Sequence, residues 1–141
     1  MKKSTGELLE LLKRTSVPSS FMENASKDLI RQIPLSKYLN QILDSHSLQK
    51  SELIRRSGLD RSYVYDILSG KRDPSRDKVL ALCFAVPLSA DETQKLLKTT
   101  GYAPLYVRLE RDSIIFFGLQ HGLPLADTNE LLYEMNYTLL E

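Results

Sequence analysis

Residues 48–75 of this 141-residue chain read LQKSELIRRSGLDRSYVYDILSGKRDPS, and this stretch predicts two short helices joined by a tight turn. Leu53 and Ile54 place apolar side chains on one side of the first helix. Gly58 favours the end of that helix, because glycine readily adopts a left-handed backbone. Asp60 is suited to cap the next helix, because its carboxylate accepts from free N–H groups. We therefore predict a helix-turn-helix unit at the centre of the chain.

The second helix of this unit separates apolar from polar side chains. Val64, Ile67 and Leu68 recur at helical spacing and are predicted to form a buried face. The other side of the helix then faces solvent and carries four polar residues: Arg61, Ser62, Tyr65 and Asp66. A basic turn, GKRDP at residues 70–74, closes the unit.

These residues resemble the Cro/CI-type, or Xre-type, family of helix-turn-helix regulators. The resemblance is carried by ELI at 52–54, GLD at 58–60, the helix from Val64 to Ile67, and GKRDPS at 70–75. It extends more loosely over residues 35–86. The whole chain looks like the short Firmicutes-type regulators of this family that have extensions at both ends.

The resemblance implies an all-α protein in which residues 35–101 form a lambda-repressor-like five-helix DNA-binding domain. Ser36 is suited to cap its first helix, and Ser47 to cap the first motif helix in place of Gln49. Ser75 and the Ser89–Glu92 capping box predict the starts of its last two helices.

Both ends of the chain are predicted to be helical. Residues 1–34 form an N-terminal helical arm, with a first helix capped at Thr5 and a weaker helix over 21–32. Residues 102–141 form a C-terminal helical hairpin, whose first helix is expected to begin after Asp112 as its cap.

In the resembled family, the second motif helix reads base edges in the major groove of double-stranded DNA. Carried over by position, residues 61–68 are the recognition helix, and the implied base-reading residues are Arg61, Ser62, Tyr65 and Asp66. A carboxylate such as Asp66 fits this role only if it accepts from cytosine N4 or orients Arg61 or Arg56. Phosphate contacts are expected from Lys50, Tyr63, Lys71 and Arg72.

Composition excludes several other classes of function. A formal net charge of +1 is not that of a general nucleic-acid coat, so the positive charge must be local. The single cysteine, Cys83, fits a reducing compartment, and no apolar run is long enough to span a membrane, so we expect a cytoplasmic protein. His46 and His121 have no zinc-ligand spacing. We expect no enzymatic activity, no catalytic residues, no metal and no cofactor.

A single recognition helix offers few contacts, so a homodimer on a two-fold DNA site is expected. The apolar residues of the C-terminal hairpin suit a dimer interface or, equally, additional core, and the interface candidates are Ile114, Phe117 and Leu131. The alternative is an adaptor or antitoxin-like protein that binds a protein partner through the motif or through either extension. The near-zero net charge and Asp66 in the reading helix favour that alternative.

Overall fold

The described part of the chain consists of nine α-helices and contains no β-strand. The computed structural model describes residues 3–25, 29 and 31–141. The all-α class predicted from the sequence is confirmed. No helix within these ranges combines the length and apolar character that crossing a membrane requires.

The first of two compact units is Met1–Arg31. Its helix α1 (Thr5–Arg14) is capped by Ser4, whose hydroxyl accepts from the N–H of Glu7 at 3.1 Å, so the predicted cap at Thr5 is wrong by one residue.

The second helix of this unit, α2 (Pro18–Ala25), begins earlier than the predicted 21–32 helix. Proline is well suited to a first helical position, because the N–H that it lacks would have no partner there. The predicted continuation towards Gln32 passes through residues 26–28 and 30, which lie outside the described residues.

The second unit, Gln32–Glu141, contains the other described helices. They are α3 (Leu35–Ser45), α4 (Lys50–Ser57), α5 (Arg61–Ser69), α6 (Arg76–Ala85), α7 (Ala90–Thr99), α8 (Glu110–Gln120) and α9 (Leu125–Glu134). The unit boundary lies between residues 31 and 32, and residues 102–141 belong to the same compact unit as residues 35–101.

Most of the predicted motif caps are confirmed. Gly58 ends α4 with a left-handed φ of +69°, and Asp60 caps α5. Ser75 caps α6, and Ser89 forms the predicted capping box with Glu92 at the start of α7.

Three other predicted caps are wrong. Ser36 lies inside the first turn of α3, which begins at Leu35 after Pro34. Gln49 rather than Ser47 is the N-cap of α4, and its side chain makes no capping hydrogen bond. Asp112 lies inside α8, which begins at Glu110.

One hydrophobic core joins the helices of the second unit. Seven successive residues of α6, Val79 to Ala85, are buried, so this helix lies at the centre. Buried side chains from the C-terminal segment, Ile115, Leu119 and Leu132, belong to the same core. Asn129 of α9 holds Leu140 there by accepting from its N–H at 2.7 Å and donating to its carbonyl at 3.0 Å.

Two bidentate ion pairs join the first turns of α6 and α8. The guanidinium of Arg76 donates to both carboxylate oxygens of Asp112 at 3.1 and 2.9 Å. Arg111 donates to both oxygens of Asp77 at 3.0 Å. Burial raises the pKa of Asp112, but hydrogen bonds from Arg76 and from the N–H of Tyr106, together with the arginine charges, outweigh it and leave the pKa below its ordinary value. Asp112 is therefore ionised at neutral pH, and both of its carboxylate oxygens accept hydrogen bonds.

Candidate nucleic-acid interface

Helix α5, which carries the predicted base-reading residues, is anchored to the core along one face. Val64, Ile67 and Leu68 are buried, as their spacing predicts. Asn40 of α3 donates from Nδ2 to the carbonyl oxygen of Leu68 at 3.0 Å. The orientation of α5 is therefore fixed by apolar burial and by a hydrogen bond near its C-terminal end.

The opposite face of α5 is open to solvent. Arg61, Ser62 and Tyr65 are exposed, and Asp66 is half-buried. Because α-helical residues are spaced by about 100°, these four side chains fall within one arc of the helix surface. The carboxylate of Asp60 accepts from the N–H of Ser62 at 3.1 Å. This hydrogen bond fixes the first turn of α5, where the exposed face begins.

Cations from two helices lie over the ring of Tyr65. Lys50 Nζ is 5.7 Å from the ring centroid, and the guanidinium carbon of Arg61 is 5.4 Å from it. We call these three residues the Tyr65 cluster. A cation–π contact of this kind is worth about 0.5–1 kcal/mol at an exposed site, so the ring restrains both cations without neutralising them.

A second group of the same composition surrounds Tyr63. The guanidinium carbon of Arg72 is 5.0 Å from its ring centroid, and Lys78 Nζ is 5.8 Å from it. We call Tyr63, Arg72 and Lys78 the Tyr63 cluster. The sequence motif does not single out Lys78 as a site residue; its only signal is its place in the first turn of the helix that follows the basic turn.

The two clusters lie on opposite flanks of α5. Tyr63 and Tyr65 are two residues apart, which corresponds to about 200° around a helix. The Tyr65 cluster therefore lies within the exposed polar face, and the Tyr63 cluster lies beside the Asp66 edge of that face. Lys71 adds an exposed positive charge in the turn at 70–74, and Arg72 N donates to the carbonyl of Asp66 at 3.2 Å, which attaches that turn to the end of α5.

Asp66 is the acidic member of the exposed face. Within the described part of the chain it forms no ion pair with Arg61 or Arg56. Arg56 pairs instead with Glu52 at 3.2 Å, and Arg61 stacks on Tyr65. Of the two roles expected for Asp66, orientation of Arg61 or Arg56 is therefore not seen in the described residues.

The predicted dimer residues differ in exposure. Ile114 is half-buried against the core, and Leu131 is also half-buried. Phe117 has 48% of its surface exposed, and its ring centroid lies 4.2 Å from that of His121. Phe117 is therefore the member of this set that offers most apolar surface to a partner.

Groups suited to metal binding do not converge in the described residues. No set of three or more His, Cys, Asp or Glu side chains there is placed to hold a metal ion. His46 directs Nδ1 to the carbonyl of Ile42 at 2.9 Å, and Cys83 is fully buried.

The resemblance of residues 35–86 to Xre-type regulators rests on the motif residues themselves. No protein-family model, no curated protein and no solved structure matches the chain.

Proposed function

We propose that this protein is a sequence-specific DNA-binding transcriptional regulator of the Xre type, in which α3–α7 form a lambda-repressor-like domain. Helix α5 enters the major groove of double-stranded DNA in the cytoplasm. The observation that supports this most directly is an exposed polar helix face that contains one cation-bearing tyrosine cluster and has a second one beside it.

The arrangement matches the cross-section of a DNA groove. The major groove of B-DNA is about 12 Å wide and admits one α-helix between two phosphate backbones. With α5 in the groove, Arg61 and Tyr65 face the bases, Lys50 of the same cluster reaches one phosphate backbone, and the Tyr63 cluster faces the other. Lys50, Arg72 and Lys78 then bind phosphates, and Lys71 adds a further contact from the turn.

Base reading is assigned to the exposed arc of α5. Arg61 stands at its first turn, and the N-terminal residues of a recognition helix are the ones that reach base edges. A bidentate contact from arginine to guanine O6 and N7 contributes about 1–3 kcal/mol of discrimination. Ser62 and Tyr65 contact neighbouring bases, and Asp66 accepts from a cytosine.

The first test is a selection from random duplex DNA with the purified protein. Enrichment of a two-fold sequence is expected, with half-sites about 10 base pairs apart, as for two copies of one recognition helix. The double variant Arg61→Ala, Tyr65→Ala should lose that enrichment. A matched control replaces the same two residue types at exposed positions outside the site, Arg108→Ala and Tyr133→Ala. This control should enrich the same DNA sequence as the wild-type protein.

The competing function is that of an adaptor that binds a protein. The specific observation in its favour is a group of exposed apolar side chains between α7 and α8, where Tyr106, Val107 and Leu109 are 53%, 61% and 55% exposed. Binding through phosphates must weaken steeply as salt rises, whereas binding through this apolar group need not. Folded protein that enriches no sequence even at low salt would exclude the proposed function and favour the adaptor.

A further inference from the structure

The segment from Arg72 to Lys78 supplies both cations of the Tyr63 cluster, and its middle is held by the chain that follows α7. The hydroxyl of Tyr102 donates to the carbonyl of Pro74 at 2.6 Å. Arg76 donates to the carbonyl of Ala103 at 2.9 Å. The basic turn is therefore attached on its C-terminal side by contacts that the helix-turn-helix motif does not contain.

The two ion pairs between α6 and α8 extend this attachment. Arg76 is bound by Asp112, and Asp77 is bound by Arg111, in both cases through two hydrogen bonds. Arg111 also donates from Nε to the carbonyl of Thr138 at 3.0 Å, so the end of the chain takes part. Paired, planar contacts of this kind fix orientation as well as distance.

The contacts made by the C-terminal segment lie close in sequence to both cations of the Tyr63 cluster. Lys78 directly follows Asp77 in the same helical turn, and Arg72 lies just before Pro74 on the other side. Each cation of the Tyr63 cluster is therefore only one or two residues away from a backbone or side-chain group that the C-terminal segment holds. We expect loss of the Asp77–Arg111 pair to shift the first turn of α6, which carries Lys78.

We propose that Asp77, Arg111 and Asp112 are positioning residues that set the phosphate contacts of the Tyr63 cluster, so that the C-terminal helical hairpin controls the DNA affinity of the basic turn. This inference rests on the proposed function. It gives the hairpin a role in DNA binding that requires no contact between the hairpin and the DNA.

The direction in which Asp77→Asn changes the DNA affinity distinguishes a positioning role from a simple charge effect. Asp77→Asn removes a negative charge close to the predicted DNA surface, and by charge alone it should strengthen binding to phosphates. If Asp77 acts by holding the first turn of α6, the same substitution weakens binding. Loss of fold stability alone would not change the number of phosphate contacts made by the protein that remains folded.

The experiment titrates the full chain with a mixed-sequence DNA duplex at several salt concentrations, at a temperature where far-ultraviolet circular dichroism shows each variant folded. Asp77→Asn and Arg111→Gln should each bind two- to ten-fold more weakly, about the effect of one hydrogen bond. Each should lower the salt slope by about 0.9, the value for one phosphate. The double variant should be no weaker than Arg111→Gln alone, because both changes break the Asp77–Arg111 pair and only Arg111→Gln also removes the contact with Thr138.

A matched control is Asp91→Asn. Asp91 occupies the second position of α7, as Asp77 does in α6, and it is exposed, without an ion pair in the described residues. It should bind as the wild type does. If Asp77→Asn binds equally or more tightly with an unchanged salt slope, the positioning role is overturned while DNA binding stands. If the wild type shows no salt-dependent binding, both proposals are overturned.

Discussion

Cys83 lies in the last turn of α6 with no exposed surface. Burial raises the pKa of its thiol to about 12, although the side chain of Thr93 partly offsets the effect. The unfolded chain releases this proton near pH 9.0, whereas the folded chain retains it. The raised pKa therefore makes its full contribution to the free energy of unfolding below pH 9.0. That contribution should be lost by about 1.4 kcal/mol per pH unit as the pH rises towards 12.

The measurement is urea unfolding of the wild type and Cys83→Ala at pH 8 to 11. The alanine variant should be less stable at pH 8 because of the cavity, but its free energy of unfolding should fall less with pH. Other groups also titrate between pH 8 and 11. Only the difference between the wild type and Cys83→Ala in how the free energy of unfolding changes with pH therefore reports on Cys83. Equal slopes, or rapid reaction of the native thiol with a thiol reagent at pH 8, would contradict the assignment.

Residue-scale prediction from the sequence succeeded where the interaction is local. Asp60 caps α5 as expected, because the groups that it binds lie two and three residues away. Asp112 has the same side chain and also precedes an apolar run, yet it is not a cap. Its partner Arg76 is 36 residues away, and no spacing rule reveals a contact at that distance. In the clusters around Tyr63 and Tyr65, the contacts of Lys50, Arg72 and Lys78 are also distant in sequence, whereas Arg61 and Tyr65 are an i, i+4 pair that helical spacing allows.

At the scale of elements, α8 and α9 pack tightly against each other at Gly118. A Cβ at this position would overlap Thr128 Oγ1 and would lie 3.2 Å from Phe84 Cζ. Gly118→Ala should therefore destabilise the protein by about 1–3 kcal/mol, the usual cost of overpacking, even though alanine is the better helix former by about 1 kcal/mol.

Thermal or urea unfolding of Gly118→Ala, Thr128→Ala and the double variant tests this packing. The double variant should be less destabilised than the sum of the two single variants, because removing the Thr128 hydroxyl and methyl opens the space that the new Cβ needs. Additive effects, or a stabilised Gly118→Ala, would show that the helices separate at little cost.

The existence of the helices was easier to predict than their bounds. The motif helices α4 and α5 follow from apolar spacing and from Gly58 and Asp60. The start of α8 did not follow, because Asp112 is the stronger local cap signal but is occupied by an ion pair. The start of α2 at Pro18 also differs from the prediction, because the apolar spacing that indicates this helix begins only at Phe21.

At the scale of the whole molecule, the position of residues 102–141 bears on how two copies could assemble. Ile115, Leu119, Leu132 and Leu140 of this segment are buried in the same core as the motif helices. Sequence alone left additional core and a dimer interface equally open, because an apolar helix suits both. The structure shows that these residues belong to the core. A dimer interface stays a prediction, which rests on the exposed ring of Phe117.

If the protein binds DNA as proposed, tight and specific binding requires two copies, because one recognition helix offers few contacts. We expect the wild type to sediment as a dimer and Phe117→Asp as a folded monomer, since a carboxylate in an apolar interface loses its hydration without gaining a partner. Val107→Asp makes the same change in the other exposed apolar group, where Val107 is 61% exposed, and should leave the dimer intact if the interface lies at Phe117. A dimer that survives Phe117→Asp would move the interface elsewhere, and a monomeric wild type that still enriches a two-fold site would mean that the two copies meet only on DNA.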